Sequence, residues 1–374
     1  MSAPRARLLA GLLVCLAPAS ALAQTLDPLF AAVRWAPRPP GSRPSGMGGA
    51  FAAVADGGKA TYYNPAGLAQ IPLKELELSS GDQWISGGAK LGVFRVVAYG
   101  TRSPREALSL NASVPGSLET RFSEFGFGIG VAPVHRLKLG VSAGWDGIEI
   151  AGRRTALAPD GRETLLAEVS GEDRQVRVTA GALLTLFSTA TRGLPSVRLG
   201  LAYQRGFDWR AQMSETGPAG MAQRTIDLRR PSVLTAGLAW YGTDQWSVFA
   251  QGDVIRYGEV MGALRRNVGG AARNFDIPDV IEPRVASEMA IPLSCGCGTL
   301  KVRGGLQYLS PGTLVYTGAD PVLQDTFGVR SWRGVASLGA SFFAEYFGKA
   351  LRFDIDSKDL FQGPQLSFGV VLRF

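Results

Sequence analysis

The chain has 374 residues, 46% of them hydrophobic and 19% charged, with 48 glycines, three cysteines and a single histidine. Against about 25% charged residues and about 7% glycine in soluble domains, it is charge-poor and glycine-rich, and no linker, charge run or low-complexity tract divides its middle into separate domains. The lone His135 excludes most histidine-based hydrolase and metal templates, and the 39 Lys and Arg behind the net charge of +8 are scattered rather than gathered in a stripe, which speaks against nucleic acid as a partner.

Arg5 and Arg7 precede an apolar run from Leu8 to Leu16, and Ala21-Leu22-Ala23 places small residues two apart before Gln24. This pattern predicts a secretory signal peptide over residues 1–23. The run is too short for a spanning helix, and no later stretch approaches the roughly 20 consecutive apolar residues that one needs. Cys15 sits inside the apolar run after the bulky Val14, unlike a lipoprotein signal, and cleavage after Ala23 leaves Cys295 and Cys297 in the mature chain.

Residues 24–72 lack period-two alternation and are rich in Gly and Ala. Met47, Ala50, Phe51 and Val54 fall at helical spacing and predict one short helix. Asn64 followed by Pro65 is an N-cap with proline at the first helical position, and predicts a second short helix through Leu68.

From residue 73 to residue 374 the dominant signal is alternation of apolar with polar or small residues. In the last segment Leu366, Phe368, Val370, Leu372 and Phe374 share one face, while Gln365, Ser367, Gly369 and Arg373 lie on the other. The pattern predicts fourteen strands, near 73–80, 88–100, 105–114, 120–131, 136–151, 176–187, 195–206, 231–241, 245–257, 283–291, 299–309, 333–347, 350–357 and 364–374. A soluble β-sandwich shares the alternation, so the connections decide. Short gaps, at Thr101–Pro104, Ala132–His135, Gly242–Asp244 and Gly348–Lys349, alternate with long ones at Gly152–Gln175, Phe207–Arg230, Gly258–Glu282 and Ser310–Trp332. An even strand number with short turns at one rim and long loops at the other is the connectivity of an all-β transmembrane barrel of an outer membrane. Trp and Tyr fit its interfacial girdles, with Trp240, Tyr241 and Trp246 beside one short turn. Residues 24–72 then form a small, partly helical N-terminal hatch in the lumen, and their glycines permit close approach to the wall.

The string GMGGAFAAVADGGKATYYNPAGLA, from Gly46 to Ala69, resembles the N-terminal hatch signature of the FadL/TodX family of hydrophobic-compound transport barrels and of their PorV-like relatives. Its two elements are Gly46, Met47, Gly48, Gly49 and Phe51, and then Asn64, Pro65 and Ala66. The stretch from Arg230 to Asp253 is similar to a hairpin late in those barrels, and Phe374 resembles the C-terminal aromatic of bacterial outer-membrane proteins. The resemblance implies a fourteen-stranded barrel in the outer membrane of a Gram-negative bacterium, with no cofactor. In the FadL branch it implies passive entry of hydrophobic compounds such as long-chain fatty acids or aromatic hydrocarbons. In the PorV-like branch it implies instead a scaffold or secretion-accessory barrel that binds secreted or surface proteins. The chain is shorter than is typical of the FadL branch, and no counterpart of that branch's ligand-contacting residues is evident outside the hatch, so ligand identity stays open. Met47, Phe51, Tyr62 and Tyr63 are the candidate ligand contacts; the competing reading is that they pack the hatch against the wall.

Little else carries chemistry. His135, in the short connection Pro133–Arg136, reads as a solvated turn residue, and no enzyme is expected. Cys295-Gly296-Cys297 falls in the short connection Pro292–Gly298 at the periplasmic rim, where a local disulfide, a bridge to another chain and free thiols are all open. A zinc site wants four ligands and finds no further Cys or clustered His. Gly126, Gly128 and Gly130 alternate with Phe125, Phe127, Ile129 and Val131; with no helix following, they predict room for the plug or a kink in the strand rather than a phosphate loop.

Overall fold

The computed structural model describes residues 35, 40–81, 83–109, 116–157, 163–187, 196–217, 220–346, 349–360 and 365–374. The signal peptide expected over 1–23, and residues 24–39 apart from Trp35, lie outside the described residues.

The alternation folds the chain into one antiparallel sheet that closes on itself. Its strands are β1 (Lys74–Ser79), β2 (Trp84–Leu91), β3 (Phe94–Arg102, resumed at Glu106–Ser109), β4 (Gly116–Val134), β5 (Leu137–Leu157) and β6 (Glu163–Phe187). There follow β7 (Ser196–Gln204, resumed at Phe207–Gly217), β8 (Gly220–Arg230, resumed at Val233–Tyr241), β9 (Trp246–Ile255) and β10 (Val280–Pro292). The last four are β11 (Thr299–Leu309), β12 (Arg333–Tyr346), β13 (Lys349–Lys358) and β14 (Gln365–Arg373). Strand β14 returns to β1, with Leu372 opposite Leu76 and Val370 opposite Leu78. Lys74 and Phe374 complete the seam, each amide donating to the other's carbonyl, and the Lys74 ammonium lies 5.9 Å from the Phe374 ring. Closure is compulsory: in lipid an open edge would leave a row of amides and carbonyls without partners.

Residues 40–71 lie inside this wall and carry α1 (Ser42–Gly46), α2 (Ala60–Tyr63) and a 3-10 turn at Pro65–Gln70. On the other side of the barrel from the C-terminal seam's Phe374, the loop between β9 and β10 carries α3 (Val260–Val268), and the loop between β11 and β12 carries α4 (Pro321–Thr326). A two-residue ribbon, Phe275–Asp276 with Val315–Tyr316, ties these two loops together.

The strand number agrees with the expectation, but two of its boundaries do so by cancellation. The single strand expected over 88–100 is the β2–β3 hairpin, turning at Gly92-Val93 with Gly92 at a φ of +61°. Leu91, Val93 and Phe94 are all apolar and exposed, so the pattern runs through the turn without a break. The strand expected over 105–114 is, as far as Ser109, the upper part of β3 against β4, and Thr101–Pro104 interrupts that strand rather than forming a rim turn. The long loops expected at Gly152–Gln175 and Phe207–Arg230 are largely strand: they form the tall β5–β6 and β7–β8 hairpins.

Those hairpins invert the polarity of the wall. Low on β6, Val176 and Val178 are exposed while Arg177 and Thr179 point inward; higher up, Ala167 and Val169 are inside and Glu168, Glu172 and Arg174 outside. On β5, Val141 and Trp145 face out with Ser142 and Asp146 in, and then Ile148 and Ile150 turn in with Glu149 out. Side chains keep alternating while the surroundings change, from lipid outside the lower band to water outside the upper one. Strands β7 and β8 break near this level, at Arg205-Gly206 and Pro231-Ser232. Above it the inner faces bury one apolar cluster, in which Leu118, Phe122, Ile148, Trp209 and Leu228 pack with Tyr257, Leu264, Phe275 and Phe327 of the loops.

Aromatic girdles mark the two interfaces: Phe125 and Trp145 stack at 4.9 Å on the outer face, and Trp240 meets Trp246 edge-on at 5.3 Å beside the opposite rim. Trp35, Trp84 and Trp209 are instead buried inside, and Tyr241 turns into the lumen, where the Arg198 guanidinium lies 5.0 Å from its ring. The inversion predicts a sharp contrast. Ile129→Arg, in the lipid band, should destabilise the barrel by about 2–4 kcal/mol, whereas Gln212→Arg, on the outer face above it, should change stability by less than about 0.5 kcal/mol. Urea unfolding in phospholipid vesicles measures both.

Candidate functional site

The lumen-filling segment is built for contact with the wall. The helix expected over Met47–Val54 does not form: α1 ends at Gly46, and Gly48 and Gly49 adopt φ of +57° and +76°, which turns the chain instead of continuing the helix. Met47, Ala50, Phe51 and Val54 are buried nonetheless, on successive turns. The second expected helix forms as a 3-10 turn, with Pro65 at its start and the Asn64 carboxamide oxygen accepting from the Ala66 amide.

Glycines on the inner wall let the two backbones meet. Gly130, Gly140 and Gly181 stand directly opposite one another on β4, β5 and β6. A Cβ added at Gly140 would lie 2.2 Å from the Pro65 carbonyl, and one at Gly181 would strike the Asn64 side chain. Gly200 on β7 and Gly305 on β11 receive Ala52 and Met47 in the same way. Gly128 and Gly130 give room to Thr61, Leu68 and Ala69, so of the two readings of that glycine run the space for the plug is what the structure shows.

Hydrogen bonds then fix the register. Asn64 Nδ2 donates to the Ala52 carbonyl at 2.9 Å and to the Ala182 carbonyl of β6 at 3.0 Å. Gln251 Oε1 on β9 accepts from the amides of Phe51 and Ala52, both at 2.9 Å, and Ser142 Oγ donates to the Thr61 carbonyl at 2.6 Å. The charges at this contact are paired, across it at Lys59–Glu77 and Arg43–Glu288 and on one side of it in the other pairs. Lys59 Nζ meets Glu77 at 2.7 Å with both side chains buried, Arg43 meets Asp56 at 2.7 Å and Glu288 at 3.5 Å, and Arg303 is held by Asp356 at 2.8 Å. Burial pushes the Asp56 carboxyl up, but Arg43, with Arg352 and Arg373 behind it, more than offsets this and holds it well below the usual carboxylate range.

Between this segment and the upper apolar cluster lies a cavity of about 150 Å³. Tyr62 and Tyr63 form its floor, Val233, Ile255, Tyr257 and Val335 are among its apolar walls, and Arg230, Asp253, Glu282 and Arg284 are among its polar ones. Charges here are paired: Arg284 binds Asp253 at 2.7 Å, and Arg230 binds Asp146. Tyr62 is clamped, with the Arg177 guanidinium 4.6 Å from its ring and Arg230 donating to its hydroxyl at 3.1 Å. Of the four candidate ligand contacts, Tyr62 and Tyr63 therefore face the cavity; Met47 and Phe51 are packed in the core between segment and wall. The cavity's wall residues escape sequence reading because they come from eight strands, each contributing one to three inward positions.

The outer mouth is tied down by Glu259, which accepts from Arg229 at 2.8 Å and from the Ser232 hydroxyl at 3.0 Å. Burial works against it, but these hydrogen bonds hold the Glu259 carboxyl below its ordinary value of 4.5. His135 is exposed in the turn between β4 and β5, and Cys295 and Cys297 form a disulfide in the exposed turn between β10 and β11. Among the described residues no group of three or more His, Cys, Asp and Glu is placed to hold a metal ion.

No family model matches the sequence, and no curated protein matches it. The fold is similar to that of a FadL homologue of Pseudomonas aeruginosa, with a TM-score of 0.63 and 12% identity over 91% of this chain and 98% of that one. It is also similar to the toluene transporter TbuX of Ralstonia pickettii, with a TM-score of 0.57 and 15% identity over 89% of this chain and 98% of that one. The toluene transporter TodX of Pseudomonas putida gives a TM-score of 0.54 and 14% identity over 91% and 98%. The likeness is one of fold, and it is the fold that the hatch resemblance implied.

Two outcomes follow for the contact between segment and wall. Gly140→Ala should loosen residues 60–70, and Asn64→Ala, which strands two carbonyls and an amide, should cost about 3 kcal/mol. Gly87→Ala, where nothing lies within 4 Å of an added Cβ, should leave both unchanged. Hydrogen exchange of residues 40–72 separates the three. For the mouth, a carboxyl whose folded value is depressed adds stability above its unfolded value and loses it as pH falls through the folded one. Protection of the amides over 257–268, taken relative to their intrinsic exchange at each pH, should therefore be steady from neutral pH down to about 4.5 and fall below it.

Proposed function

We propose that this protein is a passive outer-membrane channel for hydrophobic compounds such as aromatic hydrocarbons or long-chain fatty acids. Residues 1–23 direct export, residues 24–72 act as the hatch, and residues 73–374 form the channel. One observation carries the reading: a cavity inside a closed lipid-facing barrel, placed where an apolar cluster at the outer mouth gives way to walls of paired charges above the hatch tyrosines. An apolar compound partitions into the cluster at the mouth, and ions do not. In the cavity it meets Tyr62 and Tyr63 and charges that are already paired, so little desolvation opposes its entry. Two of the barrels with this fold are described as toluene transporters, which supports the class of cargo. Met47 and Phe51 hold the hatch in place, and the clamp of Arg177 and Arg230 on Tyr62 is the contact that must yield for passage inward.

Reconstitution of the mature chain into liposomes tests this. Toluene or a long-chain fatty acid should enter several-fold faster than into empty liposomes, and Tyr62→Ala should raise the rate further. Entry no faster than into empty liposomes, for either cargo, overturns the proposal.

A further inference from the structure

The inner mouth of the barrel, at the rim opposite the apolar cluster, carries its lumen-facing charges unevenly. Lys90 on β2 and Arg95 on β3 stand directly opposite one another. Both turn into the lumen, since Ser86, Val97 and Tyr99 of the same parity are buried there while Leu91 and Phe94 face out. Arg95 is also opposite Gly130, which in turn faces Gly140 on β5, and Lys138 is the next inward residue from Gly140 toward the mouth. Arg198 enters the same space from β7, two residues before Gly200, where an added Cβ would strike Ala52 of the hatch. Like charges directly opposite one another destabilise a sheet, and the charged group that acts on Lys138 is again a cation, Arg198.

No carboxylate balances this arc. The stretches 83–105, 125–145 and 174–207, from which this part of the wall is built, contain no Asp or Glu. Among the described residues none of the four cations meets a carboxylate, whereas across the lumen Lys59 meets Glu77 at 2.7 Å, Lys301 meets Glu288 at 3.0 Å and Arg373 meets Glu75 at 2.7 Å. The two guanidiniums of the arc hold neutral oxygens at the end of the hatch instead. Arg95 Nε donates to the Ile71 carbonyl at 2.7 Å, and Arg198 Nη1 donates to Gln70 Oε1 at 3.2 Å. Arg198 Nε is buried and meets no acceptor among the described residues.

We propose that Lys90, Arg95, Lys138 and Arg198 form an anion site at the inner mouth, on the underside of the hatch, that takes the carboxylate of an apolar organic acid. A wall of one sign beside a low-dielectric lumen concentrates anions, and guanidinium forks match a carboxylate in geometry. An ionised ligand is also a stronger acceptor than the neutral Ile71 carbonyl and Gln70 carboxamide that two of these groups hold. The route to the site selects the kind of anion. The apolar cluster at the outer mouth opposes any charged group, but a carboxyl, with an ordinary value near about 4, crosses it in the protonated form. A phosphate, with a charge of about −1.5 to −2 near neutral pH, does not. At the arc the cations favour the ionised form, and the proton passes to the water at the mouth. Only the apolar tail of this ligand rests on the proposed channel function.

The probe is octanoate, titrated calorimetrically into the mature chain in non-ionic detergent, with octanamide and acetate in parallel and the detergent blank subtracted. Octanoate should bind at least about tenfold more tightly than either. The double variant Lys90→Gln, Lys138→Gln, which leaves both hatch-holding guanidiniums in place, should cut the preference over octanamide by at least about threefold. Arg102→Gln, on the outer face beside Glu149, should keep it. Heat-modifiable migration on a gel shows that each variant is folded. Equal binding of octanoate and octanamide by the unaltered chain overturns the proposal, as does an undiminished preference in the folded double variant. Acetate bound as tightly as octanoate overturns it too, in favour of a site for small soluble anions. Toluene flux, which no charge assists, decides the channel function separately: fast flux together with equal binding of octanoate and octanamide strikes down this site alone.

Discussion

Everything in this molecule follows from the need to satisfy main-chain hydrogen bonds where no water is available. A sheet in lipid must close, and here it closes at Lys74 and Phe374. Fourteen strands make a ring too wide for wall side chains to fill alone. The lumen therefore takes a segment of the chain itself, and that segment must approach the wall at main-chain distance. Gly130, Gly140 and Gly181, aligned across three strands, are the answer to that demand, and the glycine-rich composition is largely its trace.

A second consequence is that the wall obeys two solvents. Where lipid lies outside, the inner face carries Arg177, Asp146 and Arg303, paired within the lumen; where water lies outside, the inner face carries Leu118, Ile148 and Trp209. The cavity sits at the change from one regime to the other. That position gives it an apolar approach, walls with paired charges and a floor of two tyrosines.

Much of this was legible in the residues. Alternation from residue 73 onward, an even strand count and the Asn64-Pro65 cap all point to what is found, because each is a local signal: period two, turn length, and a side chain that reaches an amide two residues on. The β2–β3 turn was not legible, since Leu91, Val93 and Phe94 stay apolar at a rim that the membrane reaches. Nor were the tall β5–β6 and β7–β8 hairpins, whose polar outer faces look like loop until their inner faces are seen packed together. The helical spacing of Met47, Ala50, Phe51 and Val54 misled for a different reason: a segment enclosed on all sides buries apolar residues on turns of any shape, once Gly48 and Gly49 permit them.

The sequence by itself determined that the chain is a lipid-facing antiparallel barrel with an atypical, glycine-rich leader, because these depend on patterns a few residues long. Only the tertiary structure decided which way each face points above the membrane, that Tyr62 and Tyr63 rather than Met47 and Phe51 meet the cavity, and that Gly130, Gly140 and Gly181 stand in one row. Those facts are set by the register between strands far apart in the chain, and closure of the ring fixes that register only when every strand is in place.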